Sequence, residues 1–220
     1  MINTSITCRP KCARFGTIVL AASMLCGCSM LFSANSPPPE LFSFDSPEQT
    51  VQSTPHVKNG APTLVVSIPR ASAGFDSRQI IYVRQVHKLE YFRQSQWVDP
   101  PASMLSPLIV AALERSGQFS AVVQSPTSAL GQWRLDVEIV RLQHEFLMLP
   151  SRVHFTLRAH LLDTATRQVV AWREFDAIVP SASEDPYGGV LAANSAIRIV
   201  IEELAAFCVQ ESGTLQEIHP

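Results

Sequence analysis

Three long alternating segments between Trp133 and Val179 limit how this chain can fold more than any other feature. In the first, Trp133, Leu135, Val137 and Ile139 alternate with Arg134, Asp136 and Glu138, which is the period of a strand with one buried face. Beyond Ile139 the apolar parity slips to Val140 and Leu142, and a one-residue bulge at Ile139 and Val140 accounts for the slip. The second segment keeps one parity through Val153, Phe155, Leu157, Ala159 and Leu161, and a loop over 147–150 joins it to the first. Pairing Leu142 with Phe155 then sets Val140 against Leu157, Val137 against Ala159 and Leu135 against Leu161, so that one face is apolar throughout. On the other face Glu138 meets Arg158 and Asp136 meets His160. A third segment, Gln168 to Val179, completes an antiparallel meander with Val169, Ala171, Phe175, Ala177 and Val179 on one parity.

A sheet with one apolar face needs a cover, and two segments have the helical period to supply it. Met104, Leu105, Leu108, Ile109, Ala112 and Leu113 form one apolar stripe. Asp99-Pro100-Pro101 before it is an N-cap followed by proline, and Gly117 stands where a C-terminal cap belongs. Pro107 interrupts the pattern and predicts a kink, or a restart capped by Ser106. The second stripe runs through Val190, Ala193, Ile197, Val200, Ile201, Leu204 and Cys208, with Asp185-Pro186 as its start. Shorter strands are expected at Thr63 to Ile68, Gln79 to Val83, His87 to Gln94 and Phe119 to Val123. The fold expected is a single α/β domain over 63–210, a mixed and mainly antiparallel sheet with two packed helices, with a C-terminal tail over 211–220.

The N-terminus has a different character. Arg9, Lys11 and Arg14 precede a mostly apolar run, Phe15 to Leu25, which ends in Leu25-Cys26-Gly27-Cys28. The run falls short of the roughly 18 apolar residues that cross a bilayer, so it reads as a secretory signal. Its ending resembles the bacterial lipobox, which implies removal of residues 1–27 and acylation of Cys28. An ordinary secretory signal and an uncut anchor helix are the alternatives. Ser29, in place of the aspartate that commonly marks inner-membrane retention, points to the periplasmic face of the outer membrane. Residues 28–62 are rich in Ser, Pro, Asn and Thr and read as a flexible tether. Leu41 to Phe44 is an apolar patch that a solvated linker does not need, and it fits an edge strand. Flexible throughout, some 35 residues of tether reach roughly 30 Å.

Removal of the signal leaves 14 basic against 19 acidic residues, a formal charge of −5, which argues against a nucleic-acid partner. Cys208 becomes the one free thiol, so no internal disulfide is expected, and its apolar neighbours place it in the core. His154 and His160 share a strand face roughly 20 Å apart, while His144 points the other way, so they form no common metal site. Charge pairs across a solvated sheet face contribute about 0.2 to 1 kcal/mol and need no catalytic role. The sequence has no Gly-x-Ser-x-Gly elbow, no phosphate-binding glycine loop and no Cys-x-x-Cys. The expectation is a protein without a cofactor that binds and scaffolds and is not an enzyme.

The run from Ser77 to Val123 contains Tyr82 in a paired strand, Leu89-Glu90-Tyr91 and Trp97-x-Asp99-x-Pro101. It continues into a helix ending in Leu113-Glu114 and Ser116-Gly117 before Phe119. This pattern resembles the ABC-type transport auxiliary lipoprotein family, which accompanies mammalian-cell-entry-type and paraquat-inducible lipid transport systems of diderm bacteria. The resemblance implies three protein partners, namely a mammalian-cell-entry-domain protein, a permease and an ATPase. It also implies phospholipid as cargo and attachment to the membrane through the lipid anchor, and it leaves homo-oligomerisation open. Pro107, the long tether and an apolar hairpin tip depart from the pattern. A structural envelope lipoprotein that carries no lipid is the alternative from another class.

That tip is Phe146-Leu147-Met148-Leu149-Pro150, where a turn normally carries Gly, Asn or Asp. Either it folds back under a helix into the core, or it projects as an exposed apolar patch. On the second reading Leu147, Met148 and Leu149 contact the transport partner or its lipid cargo.

Overall fold

The computed structural model describes residues 37–45 and 60–218, with the side chains of its last helix as far as Gly213. The expected signal over 1–27, Cys28 and most of the expected tether lie outside the described residues. Strands β1 (Glu40–Phe42), β2 (Thr63–Val66), β3 (Arg70–Ala71), β4 (Gln79–Gln85) and β5 (Lys88–Trp97) precede helix α1 (Pro101–Arg115). Then come β6 (Ala121–Gln124), β7 (Trp133–Glu145), β8 (Arg152–Asp163), β9 (Val169–Pro180) and helix α2 (Pro186–Ile218).

Strand β7 organises the sheet. One edge pairs antiparallel with β8 along nearly its whole length. The other edge takes β2, β3 and β4 in succession, all parallel, at Trp133 to Leu135, Glu138 to Ile139 and His144 to Glu145. Backbone N–H groups of Ser67, Ser72 and Phe146 fasten the junctions through the carbonyls of Leu135, Ile139 and Val83. Strand β9 extends the meander beyond β8, β6 lies outside β2, and β1 lies outside β5. The sheet is therefore mixed, and its longest ladders are antiparallel.

The meander has the expected register with one change. Leu142 faces Phe155, Val137 faces Ala159 and Leu135 faces Leu161, but Leu157 meets Ile139, and Val140 is the extra residue of the bulge. Ile139 is fully buried and Val140 only partly, so the bulge ejects Val140 and returns Leu142 and His144 to the core face. On the solvent face Arg158 lies between Glu138 at 3.7 Å and Glu174 at 2.8 Å. Asp136 stands opposite His160, yet its carboxylate is taken by Arg134 and by the Ser67 hydroxyl.

Both helices join one core with the apolar sheet face, which includes Leu64, Leu135, Phe155, Leu157 and Leu161 at zero exposure. Each such side chain contributes about 1.5 to 3 kcal/mol of burial. Helix α2 lies over β8 and β9, with Phe207 edge-on to Phe175 at 5.8 Å, and its predicted stripe from Val190 to Cys208 is buried. Burial pushes the Cys208 thiol up to about 12, as expected of a core cysteine, and Glu211 adds to the shift.

Four expectations change. The cap at Asp99 is not made: Pro100 is the N-cap residue of α1, no side chain caps it, and Asp99 is exposed. Helix α1 runs through Pro107 without restarting at Ser106. Pro107 and Ser103, whose carbonyl loses its helical donor, are both on the exposed face, where water can take the place of the missing N–H. The folded unit begins earlier than residue 63. Glu40–Phe42 pairs parallel with Ser95 to Trp97, and Phe44 is buried edge-on to Trp97 at 5.1 Å. Finally, most of the expected tail over 211–220 is helical, because α2 continues to Ile218.

Candidate interaction site at the hairpin end

Because β4 and β7 are parallel, the β4–β5 turn and the β7–β8 turn lie at the same end of the sheet. Their strands are joined there by the Phe146 N–H, which donates to the Val83 carbonyl at 2.8 Å. Aromatic rings fill the junction: Tyr82 lies 4.5 Å from Phe92 and 6.0 Å from Phe146, centroid to centroid, and Phe146 lies 4.2 Å from the His144 ring. The Arg84 guanidinium sits over the Tyr82 and Phe146 rings at 4.8 and 5.8 Å, within cation–π range.

The base of the β7–β8 turn is clasped on both faces. On the helix face the Ser151 hydroxyl lies 2.7 Å from His144 Nε2, and both side chains are buried. The Ser151 N–H donates to Glu184 and the Ser151 carbonyl accepts from Ser181, which ties the turn to the segment entering α2. A Cβ on Gly189 would stand 2.5 Å from His144 Nδ1, so the first turn of α2 rests directly on the imidazole. Burial holds His144 below its ordinary 6.5, against the opposing influence of Glu184 and Asp185.

On the other face Glu145 accepts from Gln143 at 2.8 Å and Arg152 at 3.0 Å, and lies 3.1 Å from His154. His154 also reaches Asp176 at 2.7 Å. Burial alone would raise the Glu145 carboxyl, but the hydrogen bonds from Gln143, Arg152 and His154 outweigh it and hold the group below the usual carboxylate value. For Asp176 the same opposition of burial to bonds from Thr156 and His154 gives the same direction. Between the two clasps the tip stands free. Leu147, Met148 and Leu149 are 45%, 53% and 81% exposed, and Val86 on the neighbouring turn is 60% exposed. The alternative in which the tip folds back into the core is not the one adopted.

The Ser151–His144 contact has the spacing of a nucleophile and its base. Both groups are sealed, however, and His144 Nδ1 has no protein hydrogen-bond partner to orient the ring. The adjoining cavity of about 10 Å³ holds one water at most. A separate groove of about 550 Å³ between the C-terminal end of α1 and the middle of α2 is lined by Ala112, Arg115, Glu202, Ala205 and Val209, away from this pair. Among the described residues no group of three or more His, Cys, Asp or Glu could hold a metal ion. Sequence reasoning singled out Leu147 to Leu149 but missed the clasp beneath them. The signal for it was present, since the bulge that returns Leu142 to the core face must return His144 with it.

Fold and site together define a small mixed-sheet α/β domain that presents an apolar end on a rigid base. The chain belongs to the family of ABC-type transport auxiliary lipoprotein components, whose model matches residues 42–205. Among solved structures it is similar to a Xanthomonas campestris protein of the DUF330 family, with a TM-score of 0.67 and 23% identity, over 82% of this chain and 97% of that one. A second, uncharacterized protein matches with a TM-score of 0.58 and 12% identity, over 80% of this chain and 99% of that one. At these identities the likeness is one of fold. No curated protein matches the chain.

Proposed function

We propose that this protein is the lipid-anchored component of an ABC-linked system moving phospholipid or similar apolar molecules between the inner and outer membranes. It is acylated on Cys28, sits at the periplasmic face of the outer membrane, and binds and scaffolds without catalysing. The observation that carries this reading is membership of the auxiliary lipoprotein family over residues 42–205. The sealed state of the Ser151–His144 pair supports the non-catalytic part. Among the described residues no helix is long and apolar enough to cross a membrane. Leu147, Met148 and Leu149 are the proposed contact with the transport partner or its cargo, and their exposure supports that role.

Affinity purification of the full chain from its own cells tests the proposal. A mammalian-cell-entry-domain protein, a permease and an ATPase should co-purify, and replacing Leu147, Met148 and Leu149 together by Ser should weaken that association while leaving the melting temperature unchanged. Recovery of none of the three partners with the wild-type chain would favour a structural envelope lipoprotein instead.

A further inference from the structure

The two turns at the hairpin end differ in composition from the rest of the chain. Residues 84–88 and 146–150 carry Arg84, His87 and Lys88 and no acidic residue, in a chain whose formal charge without its signal is −5, and Lys88 pairs with Glu90 on β5 at 3.2 Å. Beside these basic groups stand Val86, Leu147, Met148 and Leu149, all at least 45% exposed. Beneath them are Phe92 and Tyr82, the latter a ring of the kind that settles at a membrane–water boundary. Exposed aliphatic side chains, a basic rim and an aromatic base are together what an interfacial lipid contact requires.

The direction of the chain supplies the second argument. Strand β1 runs parallel to β5, and β5 starts at the β4–β5 turn, so the chain enters β1 from the side of the hairpin end. Glu40 is level with Ser95, roughly 20 Å along β5 from Lys88. Eleven residues separate Cys28 from Glu40, a stretch of chain that spans at most about 40 Å at full extension. The 164–167 turn and Leu130, just before β7, lie at the opposite end of the sheet.

We infer that the hairpin end, with Leu147 to Leu149 and Val86 as its apolar edge and Arg84 and Lys88 as its basic rim, docks on the anionic phospholipid surface of the membrane that holds the protein. This rests on the proposed role of Cys28 as the anchor and names the bilayer itself as the lipid that the tip meets. The contact orients the domain, with α1 and the far ends of β7 and β8 directed away from the surface.

The test uses the whole chain from Cys28 onward with Cys28→Ser, so that no acyl chain contributes. Its partition into vesicles of phosphatidylethanolamine and phosphatidylglycerol is measured by sedimentation. The chain should bind these vesicles and bind phosphatidylcholine vesicles less. Replacing Leu147, Met148 and Leu149 by Ser should lower partition at least about tenfold with the melting temperature unchanged. Arg84→Gln with Lys88→Gln should remove most of the preference for phosphatidylglycerol, and Leu130→Ser at the opposite end should change nothing. The inference is overturned if the parent chain does not bind, if the triple variant binds as well as the parent, or if Leu130→Ser loses as much. A triple variant that loses partner co-purification but keeps vesicle binding overturns the membrane contact and leaves the proposed function intact. The opposite pattern confirms the membrane contact and removes the tip from the partner interface.

Discussion

His144 shows how one side chain can join two elements. Its Nε2 meets the Ser151 hydroxyl across the turn, and its Nδ1 edge supports Gly189 at the start of α2. Because burial lowers its pKa from 6.5 in the fold, the unfolded chain takes up a proton over a window in which the native chain does not. Stability must therefore rise with pH through that window and be lost as pH falls below 6.5. Glu145 and Asp176 are depressed from 4.5 and 3.8, so their contribution is present above those values and is lost as pH falls below them. Chemical denaturation at a series of pH values should show the upper decline in the wild-type chain, and His144→Gln should lack it. An unchanged decline in that variant would assign the effect to other groups. At this scale the sequence was legible in its parities, which placed Glu138 by Arg158 and Cys208 in the core. It was not legible in the partners of His144, because Ser151 and Glu184 approach only after the turn and α2 have packed.

The two helices carry the same Asp-Pro start signal and use it differently. At α2 the Asp185 carboxylate accepts the Gly188 N–H at 2.7 Å, and the Asp185 carbonyl accepts the Gly189 N–H at 3.1 Å. At α1 a second proline separates Asp99 from the helix and makes Pro100 the N-cap residue, which moves the carboxylate one position too far back to reach a free donor. Asp185→Ala should cost about 0.5 to 2 kcal/mol of stability, and Asp99→Ala should stay within about 0.5 kcal/mol of the parent. Denaturant unfolding of both variants checks the contrast, and equal losses would contradict it. The meander was legible because each of its strands is long enough to display its own period. Strand β1 was harder to find: three residues show no period, and its partner lies more than 50 residues later, so that only the apolar patch from Leu41 to Phe44 marked it. Pro107 misled for a local reason, since proline breaks a helix where the freed carbonyl is buried and here that carbonyl faces water.

In the whole molecule, pairing of β1 with β5 moves the first strand from residue 63 back to Glu40. Eleven residues lie between Cys28 and Glu40, where the sequence alone predicts some 35 before the first strand. The proposed function and the proposed membrane contact both depend on that cysteine, and the family match over residues 42–205 begins beyond it. Each methylene buried in a bilayer contributes roughly 0.8 kcal/mol, so acylation would outweigh any contact made by the hairpin end and would fix where the protein resides. The most direct measurement is metabolic labelling with palmitate, followed by membrane fractionation, of the wild-type chain and of Cys28→Ala. The wild-type chain should carry label and sediment with the outer membrane, whereas Cys28→Ala should carry none and keep its uncut N-terminal segment. Label entering Cys28→Ala at the wild-type level, or a wild-type chain that carries none, would contradict the account.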